Sequence, residues 1–170
     1  MFRRRIRIRL AAGASLAVAV AAAAAVWALW PHPAAAPPPQ QARQYLHVTA
    51  CLLTGPRGVA PGAPAAPVWA AMQSASLASH VMVTYLPDTG IADTTLLLNT
   101  LVQRQCGVIV TTGATPAQVI RAAKANPKQR FVLVTAGNAV AAAPSNVAVV
   151  SVGNVTAPIK QAIRALAATA

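Results

Sequence analysis

Four short apolar runs along this chain each end in a hydroxyl residue and then a glycine. They are Leu52-Leu53-Thr54-Gly55, Val108-Ile109-Val110-Thr111-Thr112-Gly113, Phe131-Val132-Leu133-Val134-Thr135-Ala136-Gly137 and Val147-Ala148-Val149-Val150-Ser151-Val152-Gly153. Apolar runs of this length, separated by stretches of helical period, predict buried strands of a parallel sheet. A glycine at a strand exit permits a sharp turn or a close approach to a ligand. In open α/β sheets, ligands bind beyond the carboxyl ends of the strands. The endings therefore mark the edge where a site is expected, and they supply it with neutral hydroxyls rather than acid–base groups.

The pattern between these runs completes an alternating order. A first strand over 46–54 leads into a Gly/Pro-rich loop (Gly55 to Pro67) and a helix over 68–79, with Trp69, Met72, Ser76 and Leu77 along one side. A second strand over 80–86 stops at Pro87-Asp88. Asp93 is placed to cap a helix over 94–105, whose Leu97, Leu98, Leu101 and Val102 form an inward stripe. The third strand follows at once. Thr115-Pro116-Ala117-Gln118 then supplies an N-cap threonine, a proline at the first helical position and a glutamine for a capping box. That helix buries Val119, Ile120 and Ala123, and Pro127 stops it. A short Ala-rich connection joins strands four and five. Thr156-Ala157-Pro158 opens a last helix, with Ile159, Ile163 and Leu166 facing inward. Five strands alternating with helices predict one doubly wound, three-layer α/β domain over 45–170, with a mostly parallel sheet in the order 2-1-3-4-5.

The first forty residues follow a different pattern. Met1 to Arg9 carries five arginines, Leu10 to Trp30 has no charge, and a Pro/Ala-rich stretch follows from Pro31. A basic head before an apolar segment is a secretory signal or a single membrane anchor. About 20 apolar residues span a bilayer, whereas signal cores run roughly 7–15. The length therefore favours an uncleaved transmembrane helix over 10–30, with 1–9 in the cytoplasm and the rest outside. Trp27 and Trp30 suit the far interface. Ala34-Ala35-Ala36 leaves secretion after cleavage as the alternative, although Pro37 is a poor neighbour for a signal peptidase. An arginine pair raises twin-arginine export, but the residues around it match that signal poorly. Residues 31–44 are expected to form an extended linker.

Charge adds less than its total suggests. The formal +12 includes the five N-terminal arginines, so the rest of the chain has nine basic and two acidic residues, or +7. These cations are scattered and form no run interleaved with aromatic residues, which argues against nucleic acid as a partner. Solvated surfaces beside an anionic membrane explain them more simply. Among groups with chemistry, His32, His47 and His80 lack the spacing of metal ligands, so no metal is expected. The acids are Asp88 and Asp93 alone. Asp93 reads as a helix cap; Asp88 reads as a turn former, or as an acceptor for a ribose or amine at the ligand edge. With no glutamate, no Ser/His/Asp set and no phosphate loop, enzymatic activity and a cofactor are not expected. Thr111-Thr112-Gly113-Ala114-Thr115 before a capped helix is either an ordinary strand–helix turn or an anion-binding helix start. Cys51 and Cys106 fall on strand one and at the start of strand three. These are neighbours in the predicted order, so in an oxidising compartment they either form a disulfide or remain two buried thiols.

The sequence also resembles a known family. Ala50-Cys51-Leu52-Leu53-Thr54, Trp69, Asn99-Thr100-Leu101-Val102 before Cys106-Gly107-Val108-Ile109-Val110, Phe131-Val132-Leu133-Val134 and Asn146-Val147-Ala148-Val149-Val150 resemble the basic membrane protein family. Its members are nucleoside-binding, substrate-binding lipoproteins of ABC importers. The resemblance runs from Val48 to Leu166 and implies the first lobe of the type I periplasmic-binding fold. Three departures accompany it. Gly55 and Thr135 stand where the family places acids, Ala63-Pro64-Ala65-Ala66-Pro67 replaces its Ser-Phe-Asn motif, and no lipoprotein cysteine follows the apolar segment. The chain ends about where the family crosses into its second lobe.

The expected function is thus a membrane-anchored, extracytoplasmic, non-catalytic binding or interaction module related to such proteins. Its expected partners are the membrane, an envelope or transporter protein, and a small polar solute or nucleoside. The alternative is a genuine nucleoside-like solute-binding protein that completes its cleft by dimerising. The ligand-edge residues that either reading would use are Thr54, Arg57, Asp88, Thr112, Thr135, Asn138 and Asn154.

Overall fold

Alternation of apolar strands and helices produces the expected sheet. The computed structural model describes residues 44–137 and 143–170. The anchor, the linker up to Arg43 and Asn138 lie outside the described residues. Among those described, no helix is long and apolar enough to cross a membrane. The strands are β1 (Thr49–Thr54), β2 (Met82–Pro87), β3 (Val108–Thr111), β4 (Arg130–Thr135) and β5 (Val147–Ser151). The helices are α1 (Ala66–Ser79), α2 (Thr94–Gln103), α3 (Pro116–Ala125) and α4 (Thr156–Ala167), with a 3₁₀ turn at Val152–Asn154. The order is β2-β1-β3-β4-β5, and every neighbouring pair is parallel.

Successive residues of a strand face opposite sides of the sheet, so each buried strand feeds two cores. Ala50, Leu52, Val108, Val110, Val132 and Val134 pack beneath α1 and α4. Cys51, Leu53, Ile109, Phe131 and Leu133 pack beneath α2 and α3. Fully burying one such Leu, Ile or Phe side chain contributes roughly 1.5–3 kcal/mol. With both faces covered, the strands need no polar alternation, which is why they read as continuous apolar runs.

The cysteines are bonded. Cys51 projects from β1 toward the α2/α3 side, and Cys106 meets it from the turn after α2, with a Cα–Cα separation of 5.8 Å. That turn is built by Gln105, which adopts a left-handed conformation (φ 57°). The Gln105 N–H donates to Val102 O (2.9 Å) and the Cys106 N–H to Leu101 O (3.3 Å). Such a closing turn satisfies carbonyls that the helix end leaves free, and it delivers Cys106 to the sheet.

Several boundaries and faces differ from the sequence reading. Strand one begins at Thr49 rather than 46, although the Leu46 N–H still donates to His80 O (2.8 Å). His80 is not in strand two; it ends α1 in a left-handed conformation, its N–H donating to Ser76 O. The inward side of α1 is Val68, Ala71, Met72, Ala75 and Ser76, whereas Leu77 is 57% exposed and Trp69 half-buried. Alanines surround this helix almost evenly, so its few large residues did not define the buried stripe. On α3 the buried set is Val119, Ala122 and Ala123, with Ile120 half-buried. Leu98 and Leu101 of α2 and Ile159, Ile163 and Leu166 of α4 face inward as read.

Candidate functional site at the carboxyl edge

The strand exits converge at the carboxyl edge, and their local chemistry decides which side chains remain available there. Thr54 is fully buried, with its hydroxyl donating to Gly55 O (3.1 Å). Thr111 is also fully buried, and its hydroxyl accepts from the Ala114 N–H (3.1 Å). Thr135 accepts from the Gly137 N–H (3.2 Å). Each of these hydroxyls caps the turn that follows its own strand, as short hydroxyl side chains do wherever backbone groups leave a ladder.

Asp88 is similarly occupied. It is 8% exposed; one carboxylate oxygen accepts from the Gly90 N–H (2.9 Å) and the other from the Thr94 hydroxyl (2.7 Å). Of the two roles read for it, turn former is the one the structure displays. Asp93 caps α2 by accepting from the Thr95 N–H (2.7 Å). That hydrogen bond holds its carboxyl below the ordinary aspartate value, with a smaller contribution from the charge of Arg121. The α3 start forms the full capping box: Gln118 accepts from the Thr115 N–H (2.9 Å), and Thr115 accepts from the Gln118 N–H (3.4 Å). Together with the Thr111–Ala114 bond, this ties up N–H donors that an anion at this helix start would need.

One part of the edge stays open. The loop from Gly55 to Ala65 and the turn after β3 enclose a cavity of about 150 Å³ lined by Gly55, Pro56, Arg57, Gly58, Ala63, Pro64, Ala65 and Thr112. Arg57 is exposed at its rim. The Thr112 hydroxyl is inaccessible to solvent and has no hydrogen-bond partner among the described residues, a costly state for a buried polar atom. Gly113 holds the two loops this close. A Cβ there would lie 2.7 Å from the Thr54 carbonyl carbon and 2.8 Å from the Gly55 nitrogen. The close-approach role read for the strand-exit glycines thus falls on Gly113, since a Cβ at Gly55 or Gly153 would meet nothing within 4 Å. Beside the cavity, Gly58 lies against Tyr85, which meets Trp69 edge-on (centroids 5.3 Å apart, 70°).

Of the seven ligand-edge residues read from the sequence, Arg57 and Thr112 are brought to this cavity. Thr54, Asp88 and Thr135 serve local backbone structure, and Asn154 is exposed in the 3₁₀ turn. The cavity wall of Ala63, Pro64 and Ala65 was missed; its signal was the same Ala/Pro run read as a departure from the resembling family. Among the described residues, no group of three or more His, Cys, Asp or Glu is placed to hold a metal.

Fold and edge together define a doubly wound, parallel α/β domain with a small opening at its carboxyl edge. No family model matches the chain, and no curated protein matches it. Among solved structures, a fragment described as a "putative lipoprotein" from Peptoclostridium difficile 630 matches with a TM-score of 0.58 at 17% identity, covering 70% of this chain and 98% of that one. A 3-dehydroquinate dehydratase-like protein from Bifidobacterium longum matches with a TM-score of 0.49 at 11% identity, covering 72% of this chain and 97% of that one. At this identity the first likeness shows the fold alone.

Proposed function

We propose that the chain is a membrane-anchored, extracytoplasmic, non-catalytic binding or interaction module that uses its carboxyl edge. The observation carrying this reading is the state of that edge. Thr54, Thr111, Thr135 and Asp88 are held by turns and caps, and the open cavity offers a guanidinium at its rim and a buried hydroxyl in its wall rather than a base beside a nucleophile. General acid–base work needs a titratable group within reach of the reacting proton. The buried Cys51–Cys106 disulfide supports an oxidising compartment. A basic head followed by an uncharged segment over 10–30 supports the anchor. The "putative lipoprotein" of like fold is consistent with such a location.

A solute-binding protein that closes its cleft by dimerising, as the resemblance to nucleoside-binding lipoproteins of ABC importers implies, is the second reading. One observation favours it: the cavity is smaller than the roughly 300–1,000 Å³ of ordinary ligand sites, as a half-site would be. Melting of the detergent-solubilised full chain against nucleosides and small polar solutes, with its mass measured in parallel, separates the two. A solute-dependent rise in Tm with dimerisation supports the second reading, and a rise without dimerisation supports solute binding by the module itself. No rise with any solute rules out solute binding in either form and leaves protein interaction.

A further inference from the structure

The opposite, amino edge of the sheet collects cations from separate parts of the sequence. Because the sheet is parallel and each helix returns antiparallel to it, strand starts and helix ends share this edge. Arg104 follows the end of α2, while Lys124 and Arg164 lie in the last turns of α3 and α4. Lys128 precedes β4 and Arg130 begins it, and both line an open hollow of about 360 Å³ with Ser145 and Asn146. All five are exposed. The chain has only two acidic side chains, and both lie at the far edge, in the turn between β2 and α2. The described chain also enters at the amino edge, where Leu46 pairs with His80 just before β1.

Helix ends offset part of this charge. Each helix C-terminus carries roughly half a negative charge, so the four cancel about two of the five cations. The edge remains positive. Lys124 and Arg164 would favour their own helix ends in any case, but Lys128 and Arg130 lie outside helices and have no such role.

From this placement we propose that the amino edge is a membrane-docking face, seating the domain on anionic phospholipid headgroups of the bilayer that anchors it. The occupant follows from charge complementarity and from where the chain outside the described residues joins the domain. The proposal rests on the anchor reading above. Each Lys or Arg brought to an anionic bilayer strengthens binding about fivefold, and the attraction decays within a Debye length of about 10 Å at 0.1 M salt. Docking would leave the carboxyl edge facing away from the bilayer.

The test uses the full chain in vesicles, carrying a donor dye on Ser145→Cys or, as a control at the other edge, on Thr89→Cys, with an acceptor lipid in the bilayer. Transfer from position 145 should be higher in phosphatidylcholine bilayers containing 30% phosphatidylglycerol than in pure phosphatidylcholine, and it should fall as salt rises from 0.05 to 0.5 M. Position 89 should show no such gain. Replacing Lys124, Lys128 and Arg130 by Gln should lower the docked-to-undocked ratio about a hundredfold and abolish the gain. Equal transfer in the two bilayers, or a triple variant that keeps the gain, overturns the proposal. A carbonate wash distinguishes the premises: a chain that washes off the vesicles overturns the anchor reading and docking together, whereas a retained chain with equal transfer overturns docking alone.

Discussion

Breaking the Cys51–Cys106 bond removes a cross-link between residues 55 apart in sequence. The chain-entropy model assigns a loop of that length about 4 kcal/mol of stabilisation, acting through the unfolded state. Unfolding entropy near 2.1 cal/mol/K per residue gives about 0.27 kcal/mol/K for the Arg43–Ala170 unit. The reduced protein should therefore melt about 15 °C lower than the oxidised one. Both cysteines are nearly inaccessible, at 1% and 2% exposure, so reduction has to be carried out in denaturant before refolding. Circular dichroism melts of the full chain, oxidised against reduced, then compare molecules with nearly the same folded packing. Cys51→Ala/Cys106→Ala should melt lower still, because it also leaves a cavity beneath α2 and α3. A fall of less than 5 °C on reduction, about 1.3 kcal/mol, would refute the cross-link account. So would two alkylatable thiols on the denatured, unreduced chain, which would show that the bond does not exist.

Other changes follow from single contacts. Gly113→Ala places a Cβ against the Thr54–Gly55 backbone and should cost about 2–3 kcal/mol in denaturant unfolding. Gly107→Ala meets only the movable tip of Leu166 and should cost less, so the reverse ranking would sink the close-approach reading. Asn146→Ala removes the amide that donates to Ala123 O, Asn126 O and Gln129 O at 3.0–3.1 Å; a loss of about 2 kcal/mol is expected, and one below 0.5 kcal/mol contradicts the clamp. Asp93 has its folded pKa held below the ordinary aspartate value by the Thr95 N–H. Its stabilising effect is therefore complete above that value and lost as pH falls through the lower, folded one. Asp93→Asn keeps a good cap and should flatten the pH dependence of Tm below pH 4; unchanged curves would contradict the assignment. Gln105→Gly should raise stability by about 0.5–1 kcal/mol, since glycine adopts φ 57° without a side-chain penalty.

What could be read from the sequence depended on whether each signal was local. The capping box at Thr115–Gln118 and the Asp93 cap were legible because three or four adjacent residues determine them. The faces of α2 and α4 were legible because leucine and isoleucine mark one side of each. The face of α1 was not, because alanines on all sides gave the apolar pattern little direction. Sheet order followed from regular alternation, and with it the neighbour relation of Cys51 and Cys106. The candidate site was harder to read. Sequence placed Thr54, Thr135 and Asp88 at the correct edge, but it left open whether their oxygens meet a ligand or a nearby backbone group. That competition is decided by the turn geometry after each strand.

The hydroxyl–glycine strand endings consequently have two separable roles. Placing hydroxyls at the carboxyl edge is a matter of topology, whereas making them available is a matter of loop geometry. At Thr54, Thr111 and Thr135 a local bond takes the hydroxyl. At Thr112, next to the closely packed Gly113, the hydroxyl is buried with no hydrogen-bond partner among the described residues, in the wall of the cavity that Arg57 also lines. A partner or solute using this edge would therefore gain most by supplying a negative group for the guanidinium at the rim, and would reach the Thr112 hydroxyl only by parting the loops that bury it. Thr112→Val retains shape but removes the unpartnered oxygen, and replacing an unsatisfied buried polar group with an apolar one is neutral or stabilising. A variant that is no less stable yet loses the partner would separate function from folding at this edge.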